Sequence, residues 1–185
     1  MRVFCVLFIL LLIQPISNAQ NVFTLQSEQS SLIIKGTSSV HDWESVVEDF
    51  GATAVINTPT DQPIVIESFS FTAKVKSISS GKRIMDRKTY GAFNEKDYPN
   101  ITFTFSSIKV VDAESVTVTG TLSMAGKESV VDIDAAYSWQ NNVLQISGNH
   151  ALLMTTYGME PPTAMMGAMK TGDEVIVDFN FNLTK

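Results

Sequence analysis

TFTFS, at residues 102–106, places two aromatic side chains on one side of an extended chain and three hydroxyl groups on the other. Side chains of a β-strand point alternately to the two faces of a sheet, so this pattern is typical of a half-buried antiparallel strand. The same alternation recurs at 69–75, 116–122 and 175–183. The chain is therefore predicted to be all-β.

Turn-forming residues separate the alternating segments, as at Thr58–Asp61, Asp112–Glu114, Ala125–Lys127 and Gln140–Asn142. We predict strands near 22–26, 31–37, 43–57, 64–76, 101–110, 115–124, 128–139, 143–155 and 173–184. Several of them exceed the usual strand length of about five or six residues. Long consecutive hairpins favour an antiparallel up-and-down barrel, which closes on itself and leaves no unpaired edge.

Two segments interrupt the alternation. Residues 81–99 are rich in polar side chains, end at a proline and are predicted to contain a short helix around 82–90. Residues 157–171 contain two prolines, two glycines and four methionines, and predict a loop with one helical turn at 163–169. Both segments lie between long strands, so we expect both to cross one end of the barrel.

The first nineteen residues have the order of a secretory signal peptide. Arg2 supplies a positive charge, residues 3–13 are an unbroken apolar run, and SNA at 17–19 supplies small residues before a cleavage site. The apolar run is about half the ~20 residues that a membrane-spanning helix needs. We therefore expect cleavage after Ala19, a single barrel domain at 20–185, and a soluble protein that is periplasmic or secreted.

Composition argues against several classes of function. The formal charge of −6 becomes −7 without Arg2, and an acidic protein repels nucleic acid. The only cysteine, Cys5, lies in the signal segment, so the domain is expected to have neither disulfides nor thiol chemistry. Two histidines without a cysteine are a poor inventory for a metal site, and we predict none.

Several motifs together resemble one known family. They are SVHDW at 39–43, DRKTYGAFNEKDYPNITF at 86–103, GTLSMAGK at 120–127, PPTAMMG at 161–167 and KTGDEV at 170–175. In this order the chain resembles the YceI-like family of exported lipid-binding proteins, in the variant common in Bacteroidota-type members. The likeness covers essentially all of the chain after residue 19.

The resemblance implies a lipocalin-like barrel that encloses a long cavity for a polyisoprenoid, an isoprenoid quinone or a fatty-acyl chain. It also implies a binding protein rather than an enzyme, with no cofactor apart from such a lipid as ligand. Many relatives carry a histidine-leucine pair on the short helix, where this chain has Lys88-Thr89-Tyr90. A role for that histidine is therefore not transferred.

Flexible, polarizable methionine side chains suit a wall that adapts to an apolar chain. Seven methionines follow residue 19, and four of them lie at 157–171. We expect the wall and cap of the cavity to consist of Trp43, Phe69, Phe71, Met85, Tyr90, Phe93, Met154, Tyr157, Met159, Met165 and Met166, with His41 or Tyr90 as polar anchors. The alternative is that these methionines plug one end of a filled barrel, which would then be a structural or protein-interaction module of the cell envelope.

Other polar residues leave further alternatives. His41 beside Asp42 suggests a hydrolase, but adjacent residues of a strand point to opposite faces and would not meet. His150 is predicted in mid-strand, either inward and hydrogen-bonded or solvated. The basic cluster of Lys82, Arg83, Arg87 and Lys88 is either a solvated helix face or a contact for an anionic headgroup or membrane surface. A homodimer also stays open.

Overall fold

The computed structural model describes residues 21–57 and 64–185, so the predicted signal peptide at 1–19 and the predicted turn at Thr58–Asp61 lie outside the described residues. The strands are β1 Val22–Leu25, β2 Ser31–Ser38, β3 Trp43–Val47, β4 Phe50–Ile56, β5 Ile66–Lys74, β6 Ile78–Ser79, β7 Asn100–Val110, β8 Ser115–Met124, β9 Lys127–Gln140, β10 Val143–Leu153, β11 Thr163–Ala164 and β12 Met169–Thr184. The helix α1 is Arg83–Ala92, and short 3₁₀ turns occupy Ser27–Gln29, Val75–Ser77, Met154–Tyr157 and Met165–Gly167.

The strands form a closed antiparallel barrel of eight, as the alternating pattern predicted. β1 with β2, β3 with β4, and β5 with β6 each make one interrupted barrel strand, and β7, β8, β9, β10 and β12 complete the ring. One edge of β12 pairs with β10, and its other edge pairs with β2 and β1, which closes the barrel. The predicted strand 43–57 is thus interrupted, whereas the predicted strands 22–26 and 31–37 are two parts of one barrel strand.

The interruptions of neighbouring strands lie side by side and are held by main-chain hydrogen bonds. The amide of Glu48 donates to the carbonyl of Ser77 at 3.1 Å, and the amide of Lys74 donates to that of Asp49 at 2.9 Å. Strand interruptions of this kind bend a sheet, which a small barrel needs in order to close. The wall therefore curves without losing backbone hydrogen bonds here.

One end of the barrel, which we call the closed end, carries the β7–β8 and β9–β10 turns and is filled by side chains. The rings of Phe23 and Trp139 meet edge to face with centroids 5.5 Å apart. The neighbouring side chains here are Leu25, Ile56, Ile64, Val116, Tyr137, Leu144 and Leu183, all of them buried. This apolar plug shuts the lumen at that end.

The opposite end, the open end, carries the β2–β3 turn, α1 and residues 154–168. The predicted helix near 82–90 is present as α1, and Asn94, in the left-handed conformation with φ 49°, follows its C-terminus. The helical turn predicted at 163–169 corresponds to the short 3₁₀ turn Met165–Gly167. It connects β11 to the start of β12, with which β11 pairs, and φ is positive at Met165, Met166 and Gly167, where the four residues 165–168 reverse the chain.

Two inward-facing glycines allow aromatic rings to lie against the wall, and one of them gives a direct test of the fold. A Cβ at Gly120 would lie 2.5 Å from the carbonyl oxygen of Thr104 and against the Phe103 ring. We expect Gly120→Ala to lower the free energy of unfolding by about 1–3 kcal/mol, the usual cost of overpacking. Gly51, where a Cβ would meet nothing within 4 Å, is the matched control. Urea unfolding should show Gly51→Ala much closer to wild type, and equal effects of the two changes would contradict this packing.

Candidate ligand cavity

The barrel is hollow between the closed end and the open end. The cavity has a volume of about 800 Å³, and all eight barrel strands contribute to its wall. Its apolar wall includes Leu32, Ile34, Trp43, Val47, Ile66, Phe69, Phe71, Ala73, Ile78, Ile101, Phe103, Val118, Leu122, Met124, Ile133, Ala135, Ile146, Leu152, Val175, Val177, Phe179 and Phe181. A cavity of this size is in the range of about 300–1,000 Å³ that encloses a small-molecule ligand. The premise of a filled barrel is therefore wrong.

Phenylalanines at every second position of β5 and β12, together with Phe103 of β7, form an aromatic cluster on the inner face of the barrel. Phe71 stacks on Phe181 with ring centroids 5.7 Å apart, and Phe69 meets Phe103 edge to face at 6.1 Å. Phe179 joins the same section through Phe181 at 5.4 Å. The period-two pattern that predicted the strands thus also places these rings on the inner face.

Helix α1 covers part of the open end with an amphipathic face. Met85, Thr89 and Ala92, spaced three or four residues apart, line the cavity from above. The carboxylate of Asp86 accepts hydrogen bonds from the amide and the hydroxyl of Ser80, at 2.8 and 2.6 Å, and fixes the start of the helix. The helix is therefore held over the lumen by its own sequence neighbours.

The structure brings together eight of the residues that the sequence predicted for the cavity. They are His41, Trp43, Phe69, Phe71, Met85, Phe93, Met154 and Met159. The other four, Tyr90, Tyr157, Met165 and Met166, are absent from the cavity wall and correct the prediction.

Tyr90 lies on α1, but its hydroxyl is directed to the barrel strand beside the helix. It lies 3.0 Å from the carbonyl oxygens of Lys76 and Ile78, to which it donates. Burial, followed by the carboxylates of Asp86, Glu48 and Glu95, raises the pKa of Tyr90, so the phenol stays protonated. Its hydroxyl attaches α1 to the barrel, and Tyr90 is not among the residues that line the cavity, whereas His41, the other possible anchor, is.

Tyr157, Met165 and Met166 lie outside the cavity wall for different reasons. β9 and β10 pair only along Ala136–Gln140 and Val143–Ser147, and beyond this stretch the turn that ends at Tyr157 contacts both strands. Tyr157 is 2% exposed there, and burial raises its pKa. Met165 is 74% exposed and Met166 fully exposed, because both occupy the tip of the β11–β12 hairpin.

His150, whose orientation the sequence left open, is a lining residue that the predicted cavity wall did not include. It faces the cavity from β10, in phase with Ile146 and Leu152, and is half-buried. Burial lowers its pKa, and the Asp134 carboxylate opposes that shift only in part, so the imidazole is neutral at pH 7. His150 lies an even number of residues from Ile146 and Leu152, and this period-two spacing was the sequence signal that could have placed it on the inner face.

A neutral imidazole has one hydrogen-bond donor and one acceptor. Among residues 21–57 and 64–185, no side-chain hydrogen bond of the structure involves the His150 ring. His150 can therefore offer a ligand either a donor or an acceptor within an apolar wall.

The rim of the cavity at the open end is cationic. Lys82, Arg83, Lys88 and Lys170 line it, and none of the described lining residues is an aspartate or glutamate. The ammonium group of Lys88 also donates to the carbonyl of Thr163, which links α1 to the β11–β12 hairpin. The rim can thus hold an anionic group above an apolar lumen.

His41 and Asp42 do not form an acid-base pair. They lie in the turn before β3. There Nδ1 of His41 is 2.7 Å from the main-chain oxygen of Asp42, so the imidazole contacts the Asp42 backbone and not its carboxylate. In the described part of the chain, no group of three or more His, Cys, Asp or Glu residues could hold a metal ion. Over the same residues, no helix has the length and hydropathy needed to cross a bilayer.

An eight-stranded antiparallel barrel with a plugged base, a hollow apolar centre and a helix at its mouth defines a ligand-enclosing barrel. The family model of the YceI-like domain matches residues 23–183. The chain belongs to the YceI-like family. No protein with a curated description matches it.

Solved structures with the same fold include three bacterial proteins. BcnA of Burkholderia cenocepacia superposes with a TM-score of 0.73 at 19% identity, over 85% of this chain and 98% of its own. A polyisoprenoid-binding domain from Saccharophagus degradans, implicated in plant cell wall breakdown, gives 0.68 at 15% identity, over 88% and 97%. The YceI protein of Campylobacter jejuni gives 0.62 at 20% identity, over 75% and 82%. At these identities the likeness establishes the fold.

The depressed pKa of His150 predicts a pH-dependent contribution to stability. The unfolded chain takes up a proton near the ordinary histidine pKa of about 6.5, before the folded protein does, so the free energy of unfolding falls as pH drops through that region. We expect His150→Gln to lose less stability between pH 7.5 and pH 5 than wild type, measured by thermal unfolding. The same slope in wild type and in His150→Gln would contradict the assignment.

Proposed function

We propose that this protein is an exported carrier or sequestering protein that holds one apolar chain in its barrel. The ligand classes that suit it are a polyisoprenoid, an isoprenoid quinone or a fatty-acyl lipid. The observation that carries the proposal is the apolar cavity of about 800 Å³ above the plugged end. Each buried CH₂ group contributes about 0.8 kcal/mol, so a long chain is held with few polar contacts.

Membership of the YceI-like family and the likeness to a polyisoprenoid-binding domain support the same class of ligand. The proposed location, periplasmic or secreted, rests on the signal-like sequence of residues 1–19. The proposal assigns no chemical step and no cofactor to the protein. Its action is to enclose the chain and shield it from water.

His150 supplies a polar contact that would distinguish among apolar ligands. A quinone carbonyl would accept a hydrogen bond from the imidazole, and a prenol hydroxyl could donate to it or accept from it. In the apolar wall such a bond adds about 0.5–1.5 kcal/mol to binding. We therefore propose that the ligand is an apolar chain that carries one neutral oxygen function within reach of His150.

Native mass spectrometry of the protein purified from its own envelope fraction tests the binding function directly. We expect a stoichiometric apolar adduct, which organic extraction then identifies. Val118→Trp fills the lumen from β8 and should abolish the adduct, whereas Val130→Trp, on the outer face of β9 at 70% exposure, should retain it. A bare mass for wild type, unchanged by incubation with quinones, polyprenols and fatty acids, would refute the proposal.

The contact with His150 predicts selectivity between two ligands of similar length. His150→Leu should weaken the binding of a prenylated quinone by about three- to tenfold, because the lost hydrogen bond is not replaced. The same change should leave the affinity for squalene, a prenyl hydrocarbon, equal or higher. Displacement of a fluorescent apolar probe measures both affinities, and parallel losses for the two ligands would show that His150 acts only through the shape of the cavity.

A further inference from the structure

The most exposed methionines and two aliphatic side chains lie at the open end of the barrel. Val40 in the β2–β3 turn is 59% exposed, Ile84 at the start of α1 is 70% exposed, and Met165 and Met166 project from the β11–β12 hairpin. Four large apolar side chains from three separate loops thus surround the mouth of the cavity. Apolar tips around a polar rim are typical of surfaces that contact proteins or membranes.

The three loops are joined to one another. The amide of Ser39 donates to the carbonyl of Lys170 at 2.9 Å, and the Lys170 amide donates to the Ser39 hydroxyl at 3.1 Å. The contact between Lys88 and Thr163 attaches α1 to the same hairpin. The apolar tips therefore belong to one connected surface.

The positive charge at the mouth of the cavity indicates that an anionic partner suits this surface. The protein as a whole carries a formal charge of −6, yet Lys82, Arg83, Lys88 and Lys170 line the mouth without a carboxylate among the described lining residues. The Asp86 carboxylate nearby is engaged by Ser80. Positive charge thus lines the mouth itself, beside the apolar tips, although Asp42 and Glu160 also lie at the open end.

We propose that the open end is a docking face for an anionic lipid bilayer, and that the ligand passes between bilayer and cavity while the protein is docked. Apolar tips insert below the headgroups, and lysine and arginine side chains meet the anionic lipids. The inference rests on the proposed function in one respect, because it names the place where that function exchanges its ligand. Vesicle binding and cavity binding can nevertheless fail independently.

Flotation of the purified protein with vesicles of phosphatidylcholine alone, or with one third phosphatidylglycerol, tests the docking face. We expect binding to the anionic vesicles only, with a loss of bound protein as salt is raised. Lys82→Glu with Arg83→Glu should reduce the bound fraction by about tenfold or more, because two cations become anions. Acidic residues suit the first turn of a helix, so this variant keeps α1.

Two pairs of variants compare the open end with the closed end. Met165→Ser with Met166→Ser should lower binding severalfold, whereas Val111→Ser, at a 58% exposed position of the β7–β8 turn, should have no effect. Lys109→Glu, near the same turn, is the control for charge. Val118→Trp should lose the ligand adduct and still bind vesicles, which separates docking from cavity binding.

Three results would overturn the docking face. The first is an absence of binding to anionic vesicles by wild type. The second is equal loss of binding with the changes at both ends. The third is a dimer in solution that the Met165 and Met166 changes dissociate, without vesicle binding, because a second copy would then cover the apolar tips.

Discussion

The closure of the ring by β12 is the constraint on which the rest of the structure depends. This strand of sixteen residues pairs with β10 along one edge and with β2 and β1 along the other. Because both edges are occupied, its inward side chains, Val177, Phe179 and Phe181 among them, are fixed in register with those of its neighbours. The wall of the cavity is therefore set by strand pairing before any ligand is present.

Whether such a barrel is filled or hollow depends on how its aromatic rings lie. Eight strands are at the size where side chains either fill the interior or leave room for one small ligand. A Cβ at Gly120 would collide with the ring of Phe103, and one at Gly148 would lie 2.8 Å from the ring of Phe179. These two rings thus occupy the space beside a glycine that a side chain would otherwise take, and the cavity next to them stays open. At the closed end, where Trp139 and Phe23 pack against each other, it is filled.

The sequence predicted what depends on local periodicity and missed what depends on tertiary partners. Alternation identified the strands and put Phe69 and Phe71 on the inner face, and polarity with methionine content identified the two segments at the open end. The contact of Tyr90 could not be predicted, because its acceptors, the carbonyls of Lys76 and Ile78, come close to α1 only in the folded chain. The sequence left His150 either inward or solvated, because strand parity alone does not show which face is buried, and the structure places it on the inner face.

A carrier of a long apolar chain meets a difficulty that its cavity alone does not solve. Each CH₂ exposed to water during transfer costs about 0.8 kcal/mol, so release from a bilayer into water is slow for a chain of many carbons. A mouth that rests on the bilayer removes this barrier, because the chain passes from one apolar medium to another. The proposed docking face would meet this requirement: α1 and the β11–β12 hairpin border the lumen, and the cations of the rim would hold the mouth toward anionic headgroups. Exposed apolar side chains beside a row of cations are unfavourable on an ordinary protein surface, but they suit transfer to and from an anionic bilayer.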